Sequence, residues 1–246
     1  MTMAQHQRVL SAPRLAVLDL ARTVALAAMV VFHGTYDLAL FGLIDPATPY
    51  TGGWPVFARI IAGSFLFLAG ISLWLAQGRG LRWHPFLRRL AMLIAAAVAV
   101  SVGTRLAVGD AWVRFGILHA IAASSVIGVL FLRLPVILVI AAAIAALAAP
   151  VFLTSPALAH PALLWLGLGE PVPPMVDHVP ILPWVGPFLL GLAAARLAER
   201  AGLWHRLSRL TAPGWLLWPG RHSLAIYLIH QPVLFGAIWA AMRLAG

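Results

Sequence analysis

Residues 135–153 read PVILVIAAAIAALAAPVFL, a run with no charged or hydrogen-bonding side chain. As a helix rising 1.5 Å per residue it comes close to crossing the ~30 Å hydrocarbon layer of a bilayer. It is far longer than the ~10-residue alternating strands of an outer-membrane barrel. Outward from it, comparable apolar runs occupy 15–35, 55–76, 88–108, 114–132, 181–198 and 222–244. The chain is 62% hydrophobic and 10% charged, and its mean hydropathy is +0.95. No water-soluble core of this size hides that much apolar surface, so lipid is the solvent. The expected fold is all-α, a polytopic membrane helix bundle of about seven transmembrane helices.

The patch 161–168 is too short to cross and reads as re-entrant or interfacial. Asp19 and Arg22 interrupt the first run and no small-residue cleavage site follows, so that run reads as a retained span and not a signal peptide. The chain divides into a cytoplasmic N-terminal segment, 1–14, and a single transmembrane domain, 15–246. No internal repeat is evident.

All 17 basic residues are Arg. Arg8 and Arg14 precede the first run, Arg79, Arg82, Arg88 and Arg89 surround the second turn, and Arg133 follows the fourth run. Arg196, Arg200, Arg206, Arg209 and Arg221 flank the sixth. The alternate connections, 36–54 and 154–180, hold Asp37, Asp45, Glu170 and Asp177 and no Arg. By the positive-inside rule the N-terminus is cytoplasmic and the C-terminus outside. The sequence pI of 11.7 reflects this topology and contact with anionic headgroups, so nucleic acid is not the expected partner. With no Cys in the chain, thiolate nucleophiles, thiolate metal sites and disulfides are excluded.

The connection 154–180 is rich in Pro and reads as an ordered cap, because Pro restricts both itself and the residue before it. Trp204, Trp215 and Trp218 among the arginines of 196–221 suggest a segment lying in the interface.

Ionisable groups at membrane depth cost at least ~2.5 kcal/mol near the bilayer centre, which makes them candidates for function. At about 100° per residue, Asp19, Arg22, His33 and Asp37 fall within an arc of about 60° on the first helix. Asp19 and Arg22, spaced i,i+3, equally suit a structural ion pair. His33 carries the side chain best suited to moving a proton near neutral pH. Ser223, Tyr227 and His230 share a face of the last span, just before Pro232, where interhelical hydrogen bonding is the plainer reading. His119 in the fourth span stands near Arg114, Ser124 and Ser125. These residues alone leave three readings open: an enzyme, a transporter or flippase using the same polar stripe, and a haem carrier using pairs among His33, His119 and His230.

Several segments bear a family resemblance. DLAR (19–22) running through apolar residues to FH (32–33), FLFLAGISL (65–73), FLRR (86–89) and GRHSLAIYLIHQPVL (220–234) resemble, in order, signatures of the membrane O-acyltransferases that modify bacterial surface polysaccharides. RFGILHAIA (114–122), and Asp177 followed by PILPW (180–184), are similar to segments of the heparan-alpha-glucosaminide N-acetyltransferase-like branch of that transmembrane acyltransferase superfamily.

The resemblance implies transfer of an acetyl or other acyl group from cytoplasmic acyl-CoA to a sugar amine or hydroxyl, in a bacterial-type inner membrane. Acetyl-CoA would be the donor and no metal is expected. The partners would be lipids, acyl-CoA and a sugar or glycan acceptor, with a homodimer admitted. His33 would act as general base or transient acyl carrier. Asp37 or Asp177 would orient it, and Tyr227, His230 or His119 would hydrogen-bond the thioester oxygen. Arg22, Arg79, Arg82, Arg88, Arg89, Arg206, Arg209 and Ser223 would receive the donor and its phosphates. In the lysosomal enzyme of that branch the catalytic His lies in the loop after the first matching helix. The loop 34–54 here has none, so the role passes to His33 by analogy with the O-acyltransferases.

Overall fold

The computed structural model describes residues 15–245. The expected N-terminal segment 1–14, with Arg8 and Arg14, lies outside the described residues. Those described are 77% helical, with no strand among them. The helices are α1 (Ala16–Leu40), α2 (Trp54–Gln77), α3 (Trp83–Val108), α4 (Ile117–Phe131), α5 (Val136–Leu153), α6 (Ile181–Arg200), α7 (Leu203–Leu207), α8 (Gly214–Arg221) and α9 (Ser223–Ala245).

Six of these, α1, α2, α3, α5, α6 and α9, are long and apolar enough to cross a membrane. The 15 residues of α4 rise only ~22 Å. Its ends nevertheless reach opposite ends of the bundle, since Ile117 is bonded to Asp177 before α6, and Arg196 near the end of α6 donates to the carbonyls of Phe131 and Leu134. The patch 161–168 contains the short 3-10 helix Pro161–Leu166.

Two boundaries move relative to the sequence reading, and both matter. Helix α1 continues to Leu40, so Asp37 belongs to the helix and not to the following connection. Helix α3 starts at Trp83, so Arg88 and Arg89 project from its first two turns. In α1 the added turn carries Asp37, whose side chain finds a partner inside the bundle, and in α3 the added turn carries Phe86, which is buried.

Helix α6 is the centre. Of its apolar window 56% is buried, against 6% for α9 at the periphery. It crosses α2 through a reciprocal pair of glycines. A Cβ on Gly70 would lie 2.0 Å from the Phe188 carbonyl oxygen, and one on Gly191 would lie 2.0 Å from that of Phe67. Small residues of this kind let helix backbones touch where no hydrophobic effect drives association. Phe188 is fully buried there with Leu66 and Leu192. On the outside, Val98, Leu130, Ile137, Phe152 and Leu244 are exposed apolar side chains, as a lipid-facing surface requires.

Helix α8 is clipped to α1. The Thr23 hydroxyl donates to the Leu216 carbonyl at 2.7 Å and accepts from the Gly220 amide at 2.9 Å. Arg221 reaches Asp19 at 3.3 Å. Trp215 and Trp218 on α8 stay exposed, consistent with an interfacial position.

Candidate functional site

The polar residues of α1 and α9 meet towards the end of the bundle away from Arg79, Arg82, Arg88 and Arg89. The rings of His33 and His230 stand edge to face with centroids 4.9 Å apart, and Tyr227 lies one turn before His230 on α9, with ring centroids 5.6 Å apart. The His230 Nδ1 is 2.6 Å from the Tyr227 carbonyl oxygen. A carbonyl can only accept, so Nδ1 carries hydrogen and neutral His230 presents Nε2 as an acceptor. Direct contact between the two rings leaves no room for a macrocycle between them, which removes that pairing from the haem reading.

Asp37 is fully buried, and its Oδ1 accepts from Gln231 Nε2 at 2.6 Å. This bond fixes the amide, because the carboxylate takes the nitrogen and turns Gln231 Oε1 away. Three acceptors are then buried without a partner among the described residues: Asp37 Oδ2, Gln231 Oε1 and His230 Nε2. A buried polar atom left unpaired costs about 1–3 kcal/mol, so three in one cluster mark a site built for hydrogen-bond donors.

Asp37 and Asp177 do not hydrogen-bond His33. Asp37 holds Gln231, and Asp177 Oδ2 accepts from the Ile117 amide at 3.0 Å, at the N-terminus of α4. Gly116 makes that approach possible, since a Cβ there would lie 2.2 Å from the Asp177 oxygen. Burial pushes the Asp177 carboxyl up to about 6, opposed in part by the Ile117 bond. Tyr227 lies within electrostatic range of Asp177. His119 is held by α4 itself: its Nδ1 accepts from the Gly116 amide at 3.2 Å, and Ser101 lies 3.4 Å from its Nε2. It therefore serves the start of that helix.

At the other end, Arg22 binds Asp19 at 2.9 Å and Ser72 at 2.7 Å. Arg89 lies within electrostatic range of Arg22. Arg89 and Arg82 line a cavity of about 190 Å³ with Gln77, Phe86 and Ser125. Arg79 instead pairs with Glu199 at the surface, 3.3 Å away, Arg88 and Arg206 are exposed, and Arg209 contacts His205 at 3.1 Å. Ser223, half-buried, opens α9. Among the described residues no group of three or more His, Asp or Glu is placed to hold a metal ion.

Sequence reasoning missed Gln231, which is not ionisable and drew no attention beside His230. It also missed Ser72 and Thr23, polar residues whose partners lie on other helices.

The family model for the heparan-alpha-glucosaminide N-acetyltransferase catalytic domain matches residues 14–232. No curated protein and no solved structure matches the chain.

Proposed function

The chain belongs to the heparan-alpha-glucosaminide N-acetyltransferase catalytic family, and from that premise we propose that it moves an acetyl or other acyl group from acyl-CoA to a sugar amine or hydroxyl. The observation that carries this reading is the cluster of His33, His230, Asp37 and Gln231, which leaves three buried acceptors unfilled. Hydroxyl and amine hydrogens of the acceptor fill them. His33 then takes the proton of the attacking group as that atom bonds to the thioester carbonyl carbon. The carbon–sulfur bond breaks, and the CoA thiolate receives the proton. The same imidazole suits a transient acyl-carrier role.

The donor enters at the arginine-rich end. Arg22 and Arg89 are like charges brought together inside the bundle, an arrangement that favours an anion such as the phosphates of CoA. Arg82, on the lining of the adjoining cavity, adds a third cation. This end faces the cytoplasm, with α4 as a seventh crossing, and the His33 cluster receives the acceptor from the far side.

The test is release of free CoA thiol from acetyl-CoA by the purified protein with an amino sugar present. His33→Ala lowers its rate by about 10²–10⁴-fold. Equal release by the variant overturns the role of His33. Acceptor uptake into proteoliposomes without acyl-CoA would make the protein a transporter.

A further inference from the structure

A second cleft, of about 510 Å³, lies between the ends of α2, α5 and α6, on the end of the bundle that carries the 154–180 connection. Its lining includes Arg59, Thr154, Glu170, His178 and Trp184, with Val151 among the apolar members. Its volume falls in the roughly 300–1,000 Å³ range of small-molecule sites. None of the residues of the His33 cluster lines it. On α2, Phe57 and Ile61 pack with the apolar residues of α1 near that cluster, whereas Arg59 lines the cleft.

Arg59 stands apart from the other arginines at its end of the bundle. It stands in the second turn of a spanning helix, at the end that carries the connections 36–54 and 154–180, where Arg105 and Arg114 by contrast bond to Asp110. Among the described residues no hydrogen bond, ion pair or ring contact engages its guanidinium. A cation near a membrane surface finds its natural counter-ion in a headgroup phosphate, and guanidinium matches phosphate oxygens bidentately. The surroundings give that contact a defined place. His178 Nδ1 is buried without a partner, and burial lowers the pKa of its ring, so it offers a neutral donor or acceptor beside the cation. Trp184 has the amphipathic side chain typical of headgroup depth. Val151, 78% exposed, and Ile60 beside Arg59, 60% exposed, supply apolar surface for acyl chains. Glu170 on the same lining disfavours a free phosphate dianion and leaves a singly charged phosphodiester as the better match.

We propose that this cleft is a binding site for one phospholipid, its headgroup phosphodiester held by Arg59 beside His178 and its chains lying over Val151 and Ile60. The site is independent of the acyl-transfer reading and stands or falls without it.

The test is native mass spectrometry of the detergent-solubilised full chain titrated with phosphatidylglycerol. The expected result is one saturable bound lipid, weakened at least tenfold by Arg59→Gln and by Val151→Trp, which fills the cleft from its apolar side. Arg243→Gln, an exposed arginine on α9, leaves it unchanged. Diacylglycerol, which lacks the phosphate, does not bind, and millimolar inorganic phosphate does not displace the lipid. Arg59 is exposed and unpaired, so its variant retains the fold, checked by circular dichroism. Unaltered binding in Arg59→Gln, equal loss in Arg243→Gln, equal binding of diacylglycerol or displacement by inorganic phosphate overturns the proposal.

Discussion

The imidazole of His33 stands edge-on to that of His230, with their planes inclined at 64°, and the Tyr227 carbonyl fixes the hydrogen of the second ring. One ring is thus anchored and the other is free to exchange a proton. His33→Ala is expected to lower the rate of acyl transfer by about 10²–10⁴-fold, the usual contribution of a positioned base. His230→Ala should cost less, and the double variant should fall well short of the product of the two losses, because the rings act as a unit. Single-turnover thiol release measures all three. Fully multiplicative losses would show that the histidines work separately.

Arg89 is expected to serve the donor alone. Losing a charge-assisted contact of about 1.5 kcal/mol corresponds to roughly a tenfold rise in KM for acetyl-CoA, so Arg89→Gln should show that rise with kcat and the acceptor KM within about twofold. Arg79→Gln should leave both constants alone, since that side chain is 90% exposed and tied to Glu199. An acceptor KM that rises in step with the donor KM in Arg89→Gln would remove this assignment.

Asp177 gives a pH signature. Burial raises its pKa from 3.8 to about 6, so the fold favours the neutral acid. The associated stability is fully present below about pH 4 and is lost as pH rises through 6. A shift of this size corresponds to on the order of 2–3 kcal/mol. Asp177→Asn keeps an oxygen for the Ile117 amide and carries no charge. Thermal midpoints in detergent should therefore fall more steeply from pH 4 to pH 7 in the native chain, leaving the variant the more stable at pH 7. Parallel pH profiles would contradict this.

The crossing of α2 and α6 should tolerate no added methyl group. Gly70→Ala and Gly191→Ala each drive a Cβ onto a backbone oxygen, which only a shift of a whole helix can relieve. Overpacking of this kind costs about 1–3 kcal/mol or more. Gly63→Ala, with nothing within 4 Å of the new Cβ, should be neutral or stabilise by roughly 0.5–1 kcal/mol. Thermal unfolding of the three variants tests the contrast.

The orientation can be checked because the chain has no Cys. In inside-out vesicles, a membrane-impermeant maleimide should label His205→Cys and spare Ala47→Cys, both at exposed positions. The reverse pattern would invert the proposed entry of donor and acceptor.

The fold was largely legible in the sequence because lipid leaves little freedom. Runs such as 135–153 have few structures open to them, and a helix satisfies their backbone without help from neighbours. What escaped was set by contacts between helices. In the sequence Asp37 reads as part of a connection because a carboxylate breaks an apolar run, and nothing in the run reveals the Gln231 amide that donates to it. Spacing shows a polar face on each of α1 and α9, and the family resemblance alone suggests that His33, Tyr227 and His230 act together; the bonds of Asp177 and His119 to the start of α4 are set by packing that no spacing shows. Arg22 and Arg79 look alike in sequence. Only the bundle separates the one turned towards Asp19, Ser72 and Arg89 from the one left at the surface.

The partnership of Asp37 with Gln231 joins residues 194 positions apart, and the α8 clip ties the same two regions of the chain. During synthesis α1 therefore waits in the bilayer, its buried carboxylate unmatched, until nearly every other helix has been made. Its polar stripe must be sheltered meanwhile by the translocation machinery, by water or by transient neighbours. The cluster that joins His33 and Asp37 to His230 and Gln231 is thus complete only once α9 has docked.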